Sequence, residues 1–111
     1  MISDKLTKAA VQIGEAIKET PEYSEFLQQK KNAQSSYDTK QKIEHARSLQ
    51  QRLMDIPESE RNNDYAESLQ DEYEELTENT AVYDYIRAES AYMTMVQEVL
   101  GTIIENVDID I

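Results

Sequence analysis

Two groups of carboxylates in the second half of the chain have a spacing that suits metal binding. Glu74, Glu75 and Glu78 form a Glu-Glu-x-x-Glu pattern, and Glu105 and Asp108 form a Glu-x-x-Asp pattern. Residues three and four apart share one face of a helix, so each group can direct carboxylate oxygens to the same side. Carboxylates bind Mg²⁺, and the metal can carry the phosphates of a nucleotide. The chemistry this predicts is metal-dependent hydrolysis of a nucleotide.

The two motifs together are similar to the pattern of MazG-type all-helical nucleotide pyrophosphohydrolases. Their separation argues against a shared metal within one chain, because a helix from Asn79 to Glu105 would be roughly 40 Å long. The two groups would meet only across an antiparallel dimer. In a chain with 23 acidic residues such spacings also arise by chance, and solvated helix faces are the simpler interpretation. The hydrolase is kept as the alternative hypothesis.

The remaining residue types offer little for catalysis. His45 is the sole histidine, there is no cysteine, and no glutamate stands three residues before His45. A catalytic triad, a zinc site or a di-iron site therefore lacks its parts. Gly14 and Gly101 are isolated, so no phosphate-binding loop is indicated. We predict no catalytic residue, no metal and no cofactor, and we expect His45 on the surface.

The charge balance limits the classes of partner. With 11 basic residues against 23 acidic ones the formal net charge is −12, which disfavours nucleic acids and anionic membranes. No stretch of about 20 apolar residues is present, and the start of the chain has no signal-peptide pattern. We expect a soluble, cytoplasmic protein that binds neither nucleic acid nor membrane.

Helix-forming residues dominate, and only two glycines and two prolines are present, which favours an all-α fold. Apolar spacing predicts about five helices, with two shorter N-terminal helices followed by long antiparallel ones. The expected helix starts are at Ser3 or Asp4, at Thr20-Pro21, at Ser36, after the loop, and at Asn79 or Thr80. We predict a single domain over residues 1–111, an inter-helix loop at 57–64 and a frayed tail at 108–111.

The fifth helix has the strongest apolar pattern. One heptad series contains Ile86, Met93, Leu100 and Val107, and a second series is interrupted by Glu89. The apolar face is wider than one neighbouring helix needs, so we expect part of it to contact another chain. The predicted interface consists of Tyr85, Ile86, Glu89, Tyr92, Met93, Val96, Val99, Leu100 and Ile103. Glu89 either pairs with a basic residue at the edge of this face, which we favour, or points into the contact and fixes its register.

Two segments resemble the bacterial YlbF/YmcA family, which includes YheA-type proteins. They are residues 13–27, IGEAIKETPEYSEFL, followed by Lys30, and residues 79–89, NTAVYDYIRAE. The resemblance implies an all-helical protein that forms homo-oligomers, or hetero-oligomers with related helical proteins, and has no catalytic residues. It also implies a regulatory role linked to ribonuclease Y and messenger-RNA processing. The iron–sulfur clusters of the family's regulatory complex are held by cysteine, so they are not carried over to this cysteine-free chain. We therefore expect a non-enzymatic regulatory or adaptor protein whose partner is a ribonuclease or one of its regulators.

Overall fold

The chain is helical along nearly all of its described length. The computed structural model describes residues 1–107, and in this range the chain forms five α-helices, one 3-10 turn and no strand. The elements are α1 (Asp4–Lys18), α2 (Pro21–Gln34), α3 (Tyr37–Asp55), the 3-10 turn (Glu58–Glu60), α4 (Asp64–Thr77) and α5 (Thr80–Val107). The all-α prediction is confirmed. With 14 residues α4 is no longer than α2, so the two long helices are α3 and α5, with 19 and 28 residues.

Each helix begins where an uncharged polar side chain accepts a hydrogen bond from the backbone three residues later. The acceptors are Ser3, Thr20, Ser36, Asn63 and Asn79, at distances of 2.8 to 3.2 Å. Such caps satisfy one of the backbone N–H groups that a helix start leaves without a partner. Thr20 also donates its hydroxyl hydrogen to the carbonyl of Ile17 at 2.6 Å. It therefore ends α1 and starts α2.

The cap of α5 allows a direct test. Replacing Asn79 with alanine removes the oxygen that accepts the N–H of Val82 at 3.2 Å. We expect the free energy of unfolding, measured by urea denaturation, to fall by about 1 kcal/mol. Asn79→Ser keeps an acceptor at the cap and should cost much less. Equal losses in the two variants would show that the cap does not stabilise α5.

The predicted loop at 57–64 contains the 3-10 turn, and α4 begins at its last residue, Asp64. Arg61 bends back over this segment, and its Nε donates to the carbonyl oxygen of Ile56 at 3.2 Å. Asn63 caps α4 through the N–H of Ala66. The polar residues of this segment thus bind backbone groups at the two helix ends that they connect. The predicted frayed tail at 108–111 lies outside the described residues.

The chain divides into two compact units, and the one formed by residues 29–87 contains most of the core. Here α3 packs against α4, and Leu49, Ile56, Ala66 and Leu69 form a buried apolar cluster. Leu53, Tyr73 and Leu76 pack against this cluster. The first turns of α5 belong to the same unit, and Val82 is fully buried. Burial of these side chains on helices of modest length is the main stabilising term.

The second unit combines residues 1–28 with the part of α5 that starts at Ala88. Its packing includes aromatic contacts of Tyr92 with Phe26 and Tyr23, at ring-centroid distances of 5.2 and 6.3 Å. Both distances lie within the range in which aromatic pairs attract. In contrast, none of the residues of α1, from Asp4 to Lys18, is buried. This unit therefore exposes more large apolar side chains than the unit formed by residues 29–87.

Candidate interaction surface

The carboxylates with metal-binding spacing are not gathered into a site in the described structure. Glu74 and Glu75 lie on α4, Glu78 follows its last residue, and Glu105 lies in the last turns of α5. Asp108 lies outside the described residues. Among residues 1–107 no group of three or more histidine, aspartate or glutamate side chains is arranged to hold a metal ion. The hydrolase hypothesis therefore gains no support from the arrangement of these residues.

His45 lies on the exposed side of α3, as expected, and its Nε2 is 2.9 Å from Oε1 of Glu72 on α4. Both side chains are about half exposed. They line a concavity of about 330 Å³ with Lys42, Glu75 and neighbouring residues of α4. Exposed pairs of this kind stabilise a fold by less than about 1 kcal/mol. His45 is best described as a surface link between two helices.

Tyr85, the first residue of the predicted interface, is a core residue of its own unit. It is 7% exposed, and its hydroxyl accepts a hydrogen bond from Nη2 of Arg47 at 2.9 Å. The guanidinium carbon of Arg47 also lies 5.4 Å from the centroid of the tyrosine ring. Arg47 therefore anchors the start of α5 to α3 by a hydrogen bond and by attraction to the ring.

The hydroxyl of Tyr85 gives a measurable prediction. Tyr85→Phe keeps the buried ring and removes the acceptor for Arg47, so we expect the free energy of unfolding to fall by about 0.5–1.5 kcal/mol. The matched control is Tyr83→Phe, since Tyr83 lies on the same helix but is exposed. Chemical denaturation of both variants measures the difference. Equal stabilities of the two variants would contradict a stabilising role for the Arg47 contact.

The other predicted interface residues divide into two groups. Ile86, Glu89, Tyr92, Val96 and Val99 are half-buried, and the ring of Tyr92 is already in contact with Phe26 and Tyr23. Met93, Leu100 and Ile103 are exposed. Glu89 makes polar contacts within the chain, so it is not an isolated charge.

Two further exposed apolar residues, Ile104 and Val107, lie beside the exposed residues of the predicted interface, which did not include them. We call Met93, Leu100, Ile103, Ile104 and Val107 the α5 apolar face; their exposed fractions lie between 42% and 70%. At 100° per residue the five positions fall within an arc of about 100° on one side of the helix. Val107 already stood in the heptad series that contains Met93 and Leu100, so the sequence carried the signal that extends the face. The α5 apolar face therefore places five exposed apolar side chains on one side of the helix.

From Ala88 to Val107, α5 carries charges of one sign. Between Ala88 and Val107 the sequence contains Glu89, Glu98 and Glu105 and no lysine, arginine or histidine. The α5 apolar face thus lies on a purely acidic stretch of helix. None of the helices within residues 1–107 is long and apolar enough to cross a membrane.

The fold and this surface define an all-helical protein whose candidate site is one apolar face of its longest helix. The family model described as "Control of competence regulator ComK, YlbF/YmcA" matches residues 6–108 of the 111-residue chain. The chain belongs to this family, which confirms the resemblance seen in the sequence. Its description is that of a family of regulators. No curated protein and no solved structure matches the chain.

Proposed function

We propose that this chain is a non-enzymatic regulatory protein that acts by binding other protein chains, and that the α5 apolar face is its contact surface. The observation that carries the proposal is the exposure of five large apolar side chains on one side of a single helix. Exposing such a patch to water is unfavourable, and contiguous patches of this kind mark interaction sites. Membership in a family of regulators supports the same conclusion.

The two halves of α5 differ in a way that supports a contact role. In the first turns of α5 the apolar side chains of Val82 and Tyr85 are buried within their own unit. From Leu100 to Val107 every residue of the helix is exposed. The apolar periodicity continues to Val107, although within the described chain it leads to burial only before Leu100. A second chain that covers residues 100–107 would bury their apolar side chains, as Val82 and Tyr85 are buried in the first turns.

The partner chemistry that fits best is another helix with an apolar stripe. An amphipathic helix can lay its apolar side along the α5 apolar face through residues spaced three and four apart. We propose that the partners include further copies of this chain or related helical proteins. The family resemblance further supports a ribonuclease, or one of its regulators, as a target of the assembly. We place this activity in the cytoplasm, because that is where messenger-RNA processing would occur.

Affinity co-purification from nuclease-treated native lysate, with detection by mass spectrometry, tests the proposal. The tagged protein is compared with Leu100→Asp, which puts a charge into the α5 apolar face. The matched control is Val11→Asp on α1, because Val11 is also exposed, at 58%, but lies outside that face. We expect the unchanged protein and Val11→Asp to retain a related helical protein or a ribonuclease at near-stoichiometric amounts, and Leu100→Asp to lose it. Retention of the same partners by Leu100→Asp would contradict the proposed surface.

A further inference from the structure

A small cleft lies within the unit formed by residues 29–87, where the end of α2, the first turns of α3 and the start of α5 come together. Its volume is about 110 Å³. Three of the residues that line it, Ala33, Ile43 and Tyr85, are buried, and each comes from a different helix. The other lining residues are polar and exposed. The cleft therefore has a packed floor and a polar rim.

The rim of this cleft is positively charged. It contains Lys30, Lys40 and Arg47 against one acid, Glu44, so three positive charges and one negative charge give a formal charge of +2. The whole chain has a formal net charge of −12 and only 11 basic residues. Gln34 adds an amide group whose N–H bonds can donate to an anion. The cleft is thus a local positive region in an acidic chain, and it attracts small anions over short distances.

Arg47 is held in a defined position at this cleft. Its Nη2 donates a hydrogen bond to the hydroxyl of Tyr85 at 2.9 Å, and its guanidinium carbon lies 5.4 Å from the centroid of that ring. Tyr85 is 7% exposed, so the ring against which Arg47 lies is itself fixed by packing. A guanidinium group matches the oxygens of phosphate and carboxylate groups geometrically. Because Arg47 is already oriented, less side-chain entropy is lost when an anion binds.

We propose that this cleft binds a single phosphate group, either as free inorganic phosphate or as the terminal group of a small phosphate ester. The volume supports a small ligand, because clefts for drug-sized molecules measure about 300–1,000 Å³. A phosphate group carries about −1.5 to −2 charges at pH 7, which balances the +2 of the rim better than one carboxylate does. Lysine ammonium groups and an arginine guanidinium group together form the type of donor set that phosphate prefers.

This inference goes beyond the proposed contact role of α5 and is independent of it. The α5 apolar face, from Met93 to Val107, belongs to the other compact unit, whereas every residue of the cleft lies between Lys30 and Tyr85. Leu100→Asp should therefore bind phosphate as the unchanged chain does. Failure of phosphate binding would leave the α5 apolar face untouched as a proposal, and the reverse also holds.

Two substitutions at the rim should change the affinity in opposite directions. Lys40→Gln removes one positive charge, and we expect roughly tenfold weaker phosphate binding. Glu44→Gln removes the one acid of the rim, and we expect binding to become several-fold tighter. The matched controls are Lys31→Gln and Glu67→Gln, which make the same charge changes at exposed positions of the same unit that do not line the cleft. Both controls should bind as the unchanged chain does.

Titration of the ¹⁵N-labelled chain with inorganic phosphate, followed by amide NMR at constant ionic strength, measures the affinity and its location. We expect saturable shifts at the amides around Lys40, Arg47 and Tyr85, and circular dichroism verifies that each variant is folded. Equal or tighter binding of glycerol 3-phosphate supports an ester as the ligand, and binding of inorganic phosphate alone supports the free ion. The inference is overturned if no shift saturates, if acetate binds as tightly as phosphate, or if Lys40→Gln and Lys31→Gln bind alike. Weaker binding by Glu44→Gln would equally contradict it.

Discussion

Leu49→Ala will lower the free energy of unfolding by about 2–5 kcal/mol, the range for removing a buried leucine side chain. Leu49 is 1% exposed and lies in the apolar cluster between α3 and α4. The substitution removes apolar contacts and leaves a cavity between two packed helices. A loss of this size is a large part of the 5–15 kcal/mol by which a typical domain is stable. Urea denaturation at a fixed protein concentration measures it.

Met54→Ala is the matched control for this experiment. Met54 lies on the same helix, five residues after Leu49, but it is 65% exposed. Its replacement removes little buried area, so the free energy of unfolding should change by no more than about 0.5 kcal/mol. A loss at Met54 as large as that at Leu49 would mean that the α3–α4 contact is not the main source of stability in this unit.

The double substitution Leu100→Asp and Ile104→Asp will abolish association through α5 while leaving the helices intact. Each side chain is more than half exposed in the described chain, so the substitutions remove no core contact. In an assembly that buries them, each would contribute about 1.5–3 kcal/mol, so losing both weakens binding by roughly 10²- to 10⁴-fold. Sedimentation velocity of the purified protein gives the affinity, and circular dichroism gives the helix content.

The appropriate control for the double variant is Leu100→Met and Ile104→Leu, which keeps both positions apolar and close in volume. This variant should associate within a few-fold of the unchanged chain. If the aspartate variant associates normally, the α5 apolar face is not a contact surface. If it loses both association and helix content, the last turns of α5 are required for folding, and the same proposal is contradicted.

Together the two predictions separate stability from association. Leu49→Ala should unfold at lower urea concentration yet still bind its partner while folded, since Leu49 lies in the core of residues 29–87. The variant with Leu100→Asp and Ile104→Asp should unfold at the same urea concentration as the unchanged chain but should fail to bind its partner. A protein whose exposed helix face served only its own fold would show both losses in both variants.

The sequence was sufficient to predict the helices because their starts depend on local interactions. Ser3, Thr20, Ser36 and Asn79 were recognised as candidate caps, and each accepts the expected backbone hydrogen bond. The 3-10 turn at Glu58–Glu60 was not anticipated, because it lies in a polar stretch without apolar periodicity. That α5 is a long helix could be predicted from its heptad pattern, which also indicated its wide apolar face.

Which side of α5 faces its own chain was beyond the sequence. Tyr85 and Tyr92 belong to the same wide face as Leu100, and only the positions of the other helices show that the two tyrosines make contacts within the chain. The link between His45 and Glu72 depends similarly on the register of α3 against α4. The apolar pattern of one helix shows how wide its apolar face is, but it does not show which helix or partner chain packs against that face.

The five capping side chains share a property that matters when the surroundings become acidic. Serine, threonine and asparagine do not ionise, so the cap hydrogen bonds of all five described helices do not depend on a carboxylate. The first turns of α1 to α4 also contain acidic residues, which interact favourably with the helix dipoles while they are charged. The first turn of α5 contains no acid, so it has no such contribution to lose. In a chain with 23 carboxyl side chains, the start of the helix with the exposed apolar face is therefore insulated from acidification.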